Sequence, residues 1–237
     1  MKKLIGVVPR GMLFDMEASS MTDKYELGNN YTRRVAEAGC IPVGLAPVDG
    51  WISEEVLDSL DGFIIQGGTA IWPYHFQVVH HAVTRGKRCL GICLGMQLIH
   101  CYFSLREAAE ETEPGGDPVR RMYERFVEEN AEYRLLERVD GHYSSPLVRG
   151  REDEVKHDLQ IVPGTLLHRL VNGRSIRGAT YHRWRVHDPV ECLTVNARAE
   201  DGTIEGIEYG GYILGVQFHP EVDALLPELF DFLAGSR

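Results

Sequence analysis

Residues 87–103, KRCLGICLGMQLIHCYF, restrict the fold of this chain more than any other stretch. Cys89, Leu90 and Ile92 form a short apolar run that Gly91, Cys93 and Gly95 interrupt. Met96, Leu98, Ile99, Tyr102 and Phe103 then recur at helical spacing. Gly91-Ile92-Cys93-Leu94-Gly95 therefore reads as a sharp strand-to-helix turn, the cysteine form of a nucleophile elbow. Glycines remove β-carbons from such a turn and leave the residue between them exposed at the strand's end. That position is also a helix N-terminus, where free N–H groups and the helix dipole favour a thiolate. A buried cysteine packed beside two glycines explains the pentapeptide equally well. The rest of the chain has to decide.

Composition narrows the classes. With 237 residues, 43% hydrophobic and 25% charged, the chain can bury a large core, and a single α/β domain spanning 1–237 is expected. A formal net charge of -10 excludes a general nucleic-acid binder, which needs a basic face. The five cysteines, Cys40, Cys89, Cys93, Cys101 and Cys192, are odd in number and have no CxxC spacing. That pattern fits a reducing cytoplasm with one reactive thiol better than a disulfide framework. The apolar run after Lys3 is too short for a signal peptide, and no stretch approaches the roughly 20 apolar residues of a membrane span. The expectation is a cytoplasmic chain with no membrane partner.

Along the chain, residues 4–8 read as a strand buried on both faces and 9–30 as a long loop. A helix at 31–38, a strand at 41–45, a helix at 51–60 capped by Ser53 and a strand at 63–65 follow. That strand ends in Gln66-Gly67-Gly68-Thr69, either a plain turn or a place where backbone N–H groups approach a ligand. A helix over 76–85 leads to the elbow strand. Its His80-His81 pair is expected at the surface rather than on a metal, since helical neighbours point apart. The βαβαβαβα order predicts a doubly wound parallel sheet with its site at the carboxyl ends of the strands.

Residues 104–150 change character. Glu107, Glu110, Glu111 and Glu113 precede Pro114-Gly115-Gly116, and Asp117 with Pro118 opens a helix. Its stripe of Val119, Met122, Tyr123, Phe126 and Val127 is expected to persist until Gly141. This acidic helical insert is read as packing on the domain, with a lid or partner surface as the sharper alternative. Short strands at 157–162, 178–184, 194–197, 204–209 and 213–218 follow. A turn at Asp201-Gly202 joins two of them, with a helix near 166–170 and a closing helix at 225–233.

A cysteine nucleophile needs a base, and the base needs an orienting partner. His219 and Glu221 lie just past an apolar strand, where a parallel sheet would bring both near Cys93, and Pro220 fixes the backbone between them. Alone, His-Pro-Glu fits a solvated loop just as well. Its weight comes from following the elbow and the glycine pair in that order.

GICLGMQ together with GVQFHPE resembles the triad-type, class I glutamine amidotransferases, and the resemblance extends through AGCIPVGL, IIQGG and DGTIEGIEY. The phrasing is most similar to the gamma-glutamyl hydrolase branch, typified by gamma-glutamyl-gamma-aminobutyrate hydrolase. The resemblance implies a flavodoxin-like, three-layer αβα fold with a mostly parallel central sheet. It implies that Cys93 attacks a gamma-glutamyl carbonyl, that His219 is the base and acid, and that Glu221 orients it. The N–H groups of Leu94 and of Gly67 or Gly68 would form the oxyanion hole. Gln97 would contact the glutamyl moiety.

Three departures fall where the leaving group would lie. Thr69-Ala70-Ile71-Trp72-Pro73-Tyr74 replaces an acidic stretch. Thr180, Tyr181 and His182 stand where the branch has Ser-x-His-His-Gln, with Arg183 and Trp184 replacing its last two residues. No Gly-Gly-Thr-Leu turn follows the elbow helix. Thr180, Tyr181, His182 and Gln97 are thus the expected substrate contacts, and the amine half of the substrate stays open. No cofactor or metal is implied. The expected partner is a small gamma-glutamyl substrate, and a homodimer is compatible with the chain. A glutaminase subunit feeding ammonia to a separate synthetase is the alternative, and a catalytically silent binding protein a third.

Overall fold

The computed structural model describes residues 1–12, 24–107, 116–143, 156–222 and 226–235. Its strands are β1 (Leu4–Val8), β2 (Arg10–Met12), β3 (Lys24–Glu26), β4 (Ile41–Gly44), β5 (Gly62–Ile65), β6 (Arg88–Ile92), β7 (Leu136–Arg138), β8 (Lys156–Ile161), β9 (Ile176–Ala179), β10 (Trp184–Val186), β11 (Thr194–Ala199), β12 (Ile204–Tyr209) and β13 (Ile213–Val216). The first four long helices are α1 (Asn29–Glu37), α2 (Glu54–Ser59), α3 (Pro73–Arg85) and α4 (Leu94–Ser104). Apolar runs without alternation, such as GFII and ILGV, become strands buried at every residue. Helices cover both faces there, so neither side of the strand meets water.

A nine-stranded sheet runs β4-β1-β5-β6-β13-β12-β11-β8-β9. The pairings from β4 to β13 are parallel and those from β13 to β9 antiparallel. Only β12 and β8 oppose the others, so the sheet is mostly parallel in direction. Counted among themselves, the five parallel strands follow the 2-1-3-4-5 order of flavodoxin-like folds. Phe76, Val79, Met96, Ile99, Met122 and Phe126 belong to the core on one face. Tyr31, Val35, Leu167, Leu170, Phe230 and Phe232 belong to the core on the other. Each such buried apolar side chain contributes about 1.5–3 kcal/mol. Among the described residues, no helix is long and apolar enough to cross a membrane.

Several expectations need correction. The 9–30 segment is not all loop, because β2 and β3 pair antiparallel. The predicted long helix stops at Glu128, and the left-handed Asn130 starts the separate helix Ala131–Leu135, which β7 follows. Val119, Met122 and Phe126 are buried as expected, but Val127 is 56% exposed. It stands one position past Phe126, about 100° around the helix and off the stripe. Asp117 does cap this helix, accepting from the N–H groups of Val119 and Arg120 at 2.9 and 3.2 Å. The predicted strand at 178–184 is divided: β9 ends at Ala179, and β10 leaves the main sheet to pair with β7. His81 is buried rather than at the surface, with Nδ1 3.2 Å from Glu54. Glu110, Glu111 and Glu113 of the acidic run lie outside the described residues, as does residue 225.

Candidate active site

Close backbone packing sets the elbow. A β-carbon on Gly91 would sit 2.5 Å from the carbonyl oxygen of Gly95, and one on Gly95 would sit 2.5 Å from that of Ile65 in β5. Only glycine lets the turn fold on itself and against the neighbouring strand. Cys93 itself has φ 54° and ψ -105°, a backbone conformation that costs a non-glycine residue of order 1–3 kcal/mol. The fold holds it there: Cys93 N–H donates to Val216 at 2.8 Å, and its carbonyl accepts from Met96 and Gln97 at 3.0 and 3.2 Å. The sulfur stands at the start of α4, 7% of the residue being exposed. The buried thiols Cys40, Cys89 and Cys101 are pushed up by burial, Cys89 to about 12, and so stay protonated.

His219 follows β13, its N–H donating to Ala179 at 2.9 Å. Nδ1 lies 2.7 Å from Glu221 Oε1, which leaves Nε2 for the nucleophile side. Burial opposes a charge on this ring, but the charges of Glu221 and Cys93 outweigh it and hold the imidazole well above its ordinary pKa. Gly67 marks where the parts meet. A β-carbon there would lie 3.0 Å from His219 Cε1, 3.2 Å from Tyr31 Oη and 3.4 Å from Cys93 Cβ. Gly68 packs against Leu94 in the same way. Leu94 is the first residue of α4, whose opening N–H groups have no intrahelical partner.

The expected residues do not all meet here. Cys93, His219, Glu221, Gly67 and Leu94 come together, and the Tyr181 carbonyl lies 4.0 Å from the Cys93 sulfur. The Tyr181 ring faces His219 at 6.3 Å between centroids and stacks on Tyr143 at 4.6 Å. Gln97 extends from α4 to donate to the Trp184 carbonyl at 2.8 Å and to Gln217 at 3.2 Å. Thr180 instead donates to the His142 carbonyl, and His182 turns its Nε2 to Glu205.

Sequence reasoning missed Tyr31 and assigned no role to Gln66. The Tyr31 hydroxyl accepts from the Gly67 N–H at 3.0 Å, and burial followed by the Glu221 charge raises its pKa well above the usual value. In sequence it is only the first apolar residue of a helix. Gln66 accepts from Gly28 and donates to Val8 and Glu26, bracing the glycine turn against β1 and β3.

These features define a class: a cysteine elbow facing a His-Glu pair on a flavodoxin-like sheet. The chain matches the Peptidase C26 family over residues 3–82 and 73–221 and belongs to that class I glutamine amidotransferase-like family. It is 26% identical to a Rickettsia prowazekii protein named as glutamine amidotransferase-like, over 93% of this chain and 91% of that one. It is also 26% identical to Thermosipho africanus CTP synthase over 70% of this chain, but that match spans only 32% of the synthase. Among solved structures, the glutaminase domain of Trypanosoma brucei CTPS with bound acivicin superposes with a TM-score of 0.65. That match has 15% identity and covers 99% of this chain and 94% of that one.

Proposed function

We propose that this protein is a cysteine-dependent hydrolase of the gamma-glutamyl hydrolase branch, cleaving a gamma-glutamyl amide through a gamma-glutamyl thioester. The observation carrying this reading is the buried His219–Glu221 pair, 2.7 Å apart, set beside the strained Cys93 elbow. Cys93 sulfur attacks the side-chain carbonyl carbon while His219 takes the thiol proton. The negative oxygen of the tetrahedral intermediate is received by the N–H groups of Leu94 and of Gly67 or Gly68, a contribution of about 3 kcal/mol per donor. Where Gly67 is the donor, its N–H first leaves the Tyr31 hydroxyl that accepts it at 3.0 Å. The C–N bond then breaks as His219 returns the proton to the departing amine. Water, deprotonated by the same ring, attacks the thioester to give glutamate and the free thiol. Glu221 fixes the imidazole's orientation and tautomer.

Gln97 and Tyr181 are proposed to meet the glutamyl substrate directly, while Thr180 and His182 hold the wall that carries Tyr181. The reading takes residues 1–237 as a single domain working in a reducing cytoplasm, with a homodimer compatible. Likeness to a CTP synthase supports a second reading, a glutaminase that hands ammonia to a separate synthetase. A panel of gamma-glutamyl amines and glutamine separates them. Glutamate release that Cys93→Ser abolishes supports the hydrolase. Release only from glutamine, and only with an added synthetase, supports the alternative. Failure with every substrate, matched by Cys93→Ser, sinks both.

A further inference from the structure

The antiparallel half of the sheet buries a second group of chemically active side chains that the proposed hydrolysis does not use. Glu205, on β12, is fully buried. Three ring nitrogens converge on one of its oxygens, Oε1: His142 Nδ1 at 3.2 Å, His157 Nε2 at 3.4 Å and His182 Nε2 at 3.2 Å. The other oxygen, Oε2, has no hydrogen-bond partner among the described residues. His157 Nε2 also has no hydrogen-bond partner among them although it lies 3.4 Å from Oε1, so hydrogen bonds alone leave buried polar atoms of the cluster unmatched.

The outer faces of the rings sharpen the point. His182 Nδ1 lies 3.1 Å from the Trp184 carbonyl, an acceptor only, so that nitrogen carries the proton. His142 Nε2 lies 2.9 Å from Asp201 Oδ2 and carries a proton for the same reason. Each of these two rings therefore meets the Glu205 carboxylate either with a second proton or with a cation between them. A divalent cation there is coordinated by the ring lone pairs and the carboxylate together. Backing His182 with a carbonyl and His142 with a carboxylate is the outer arrangement that metal-bound histidines adopt.

We propose that His142, His157, His182 and Glu205 form a binding site for a divalent transition-metal ion of the zinc class. Three imidazole nitrogens and one carboxylate oxygen are a donor set that zinc accepts. Bonds of about 2.0–2.1 Å in a tetrahedron put neighbouring ligand atoms about 3.3 Å apart. The separations from Glu205 Oε1 to the three nitrogens match that edge. The ligand atoms of His142, His157 and Glu205 all lie within 4.8 Å of one another and His182 stands outside that group, so closing the shell draws the rings together and brings His182 in as the fourth ligand. Four protein ligands leave no open position, which makes the site structural. It departs from the expectation of no metal in this chain.

The site also has a position in the fold. Its ligands come from the segment after β7, from β8, from the β9–β10 connection and from β12. His182 is the next residue after Tyr181, whose carbonyl approaches the Cys93 sulfur. His182 N–H donates to the His142 carbonyl at 2.9 Å, and Tyr143 bridges to Tyr181. Metal binding therefore fixes the wall opposite the nucleophile.

The test uses the full chain carrying Cys93→Ser, so that the elbow thiol cannot take up metal, after dialysis against a chelator. Zinc is titrated by calorimetry, and cobalt(II) replaces it for visible spectroscopy. The expected result is one zinc per chain, a raised Tm and the intense visible bands of tetrahedral cobalt. His157→Ala, at the most exposed ligand, and His182→Ala should each weaken uptake at least tenfold with far-UV circular dichroism unchanged. No stoichiometric uptake, or uptake by both ligand variants as tight as that of the parent chain, overturns the proposal and leaves protons alone holding the cluster. The readout is metal content, so it stands or falls separately from the hydrolase reading.

Discussion

The two halves of the sheet bury opposite kinds of side chain. The parallel half packs Ile5, Val7, Ile64, Leu90 and Val216 and brings its polar chemistry to the strand ends. The antiparallel half buries Asn196, Thr203 and Glu205 within or beside its strands. In the first, glycines and one strained φ position the reacting atoms, so the backbone does the placing. In the second, side chains hold one another. The contrast teaches that the two regions should fail differently when cut.

The largest effect is expected at the backbone-placed group. Cys93→Ser or His219→Asn should lower gamma-glutamyl turnover by about 10⁴-fold with the fold retained, read by steady-state kinetics and circular dichroism. Residual turnover near wild type in either variant would break the parallel half's claim to the chemistry. Glu205→Gln should destabilise the antiparallel half by about 3–5 kcal/mol in denaturant unfolding, because it leaves imidazoles facing no carboxylate. An unchanged midpoint would mean that the cluster is not holding that half. Gly95→Ala drives a β-carbon onto the Ile65 carbonyl and should cost about 1–3 kcal/mol in the same assay.

The smallest effect is a slope. His75 and His100 are pushed down by burial, to about 3 and about 4, so both stay neutral in the folded chain. Below about pH 6.5 the unfolded chain binds protons that these rings refuse, and stability falls with pH by up to about 1.4 kcal/mol per unit for each ring. His219, held high by Glu221 and Cys93, has the opposite sign: its share is present at low pH and lost as pH rises through its folded value. His75→Gln should flatten the fall in stability between pH 6.5 and 5. A slope identical to wild type would contradict burial as its cause.

Legibility in the sequence followed the same division. The elbow, the glycine pair and His219-Pro220-Glu221 could be read because each is a local backbone device with a fixed spacing. Strand positions in the parallel half were readable from unbroken apolar runs for the same reason. His81 was misplaced because the rule that helical neighbours point apart does not say which one points inward. The split of 178–184 into two sheets depends on β7, whose three residues carry no strand pattern of their own. Tyr31 showed only as a helix residue, since its hydroxyl matters through Gly67 and Glu221 rather than through any spacing. His142, His157 and His182 lie on separate segments and converge only when the antiparallel half closes around Glu205.

The central claim is that Cys93 becomes acylated. Intact-mass and peptide mapping of acid-quenched protein, wild type and His219→Asn, after mixing with glutamine or gamma-glutamyl amines, tests it most directly. The predicted result is a glutamyl acyl group on the peptide containing Cys93, absent from Cys93→Ser. No adduct with any substrate, or an adduct on another residue, would contradict it.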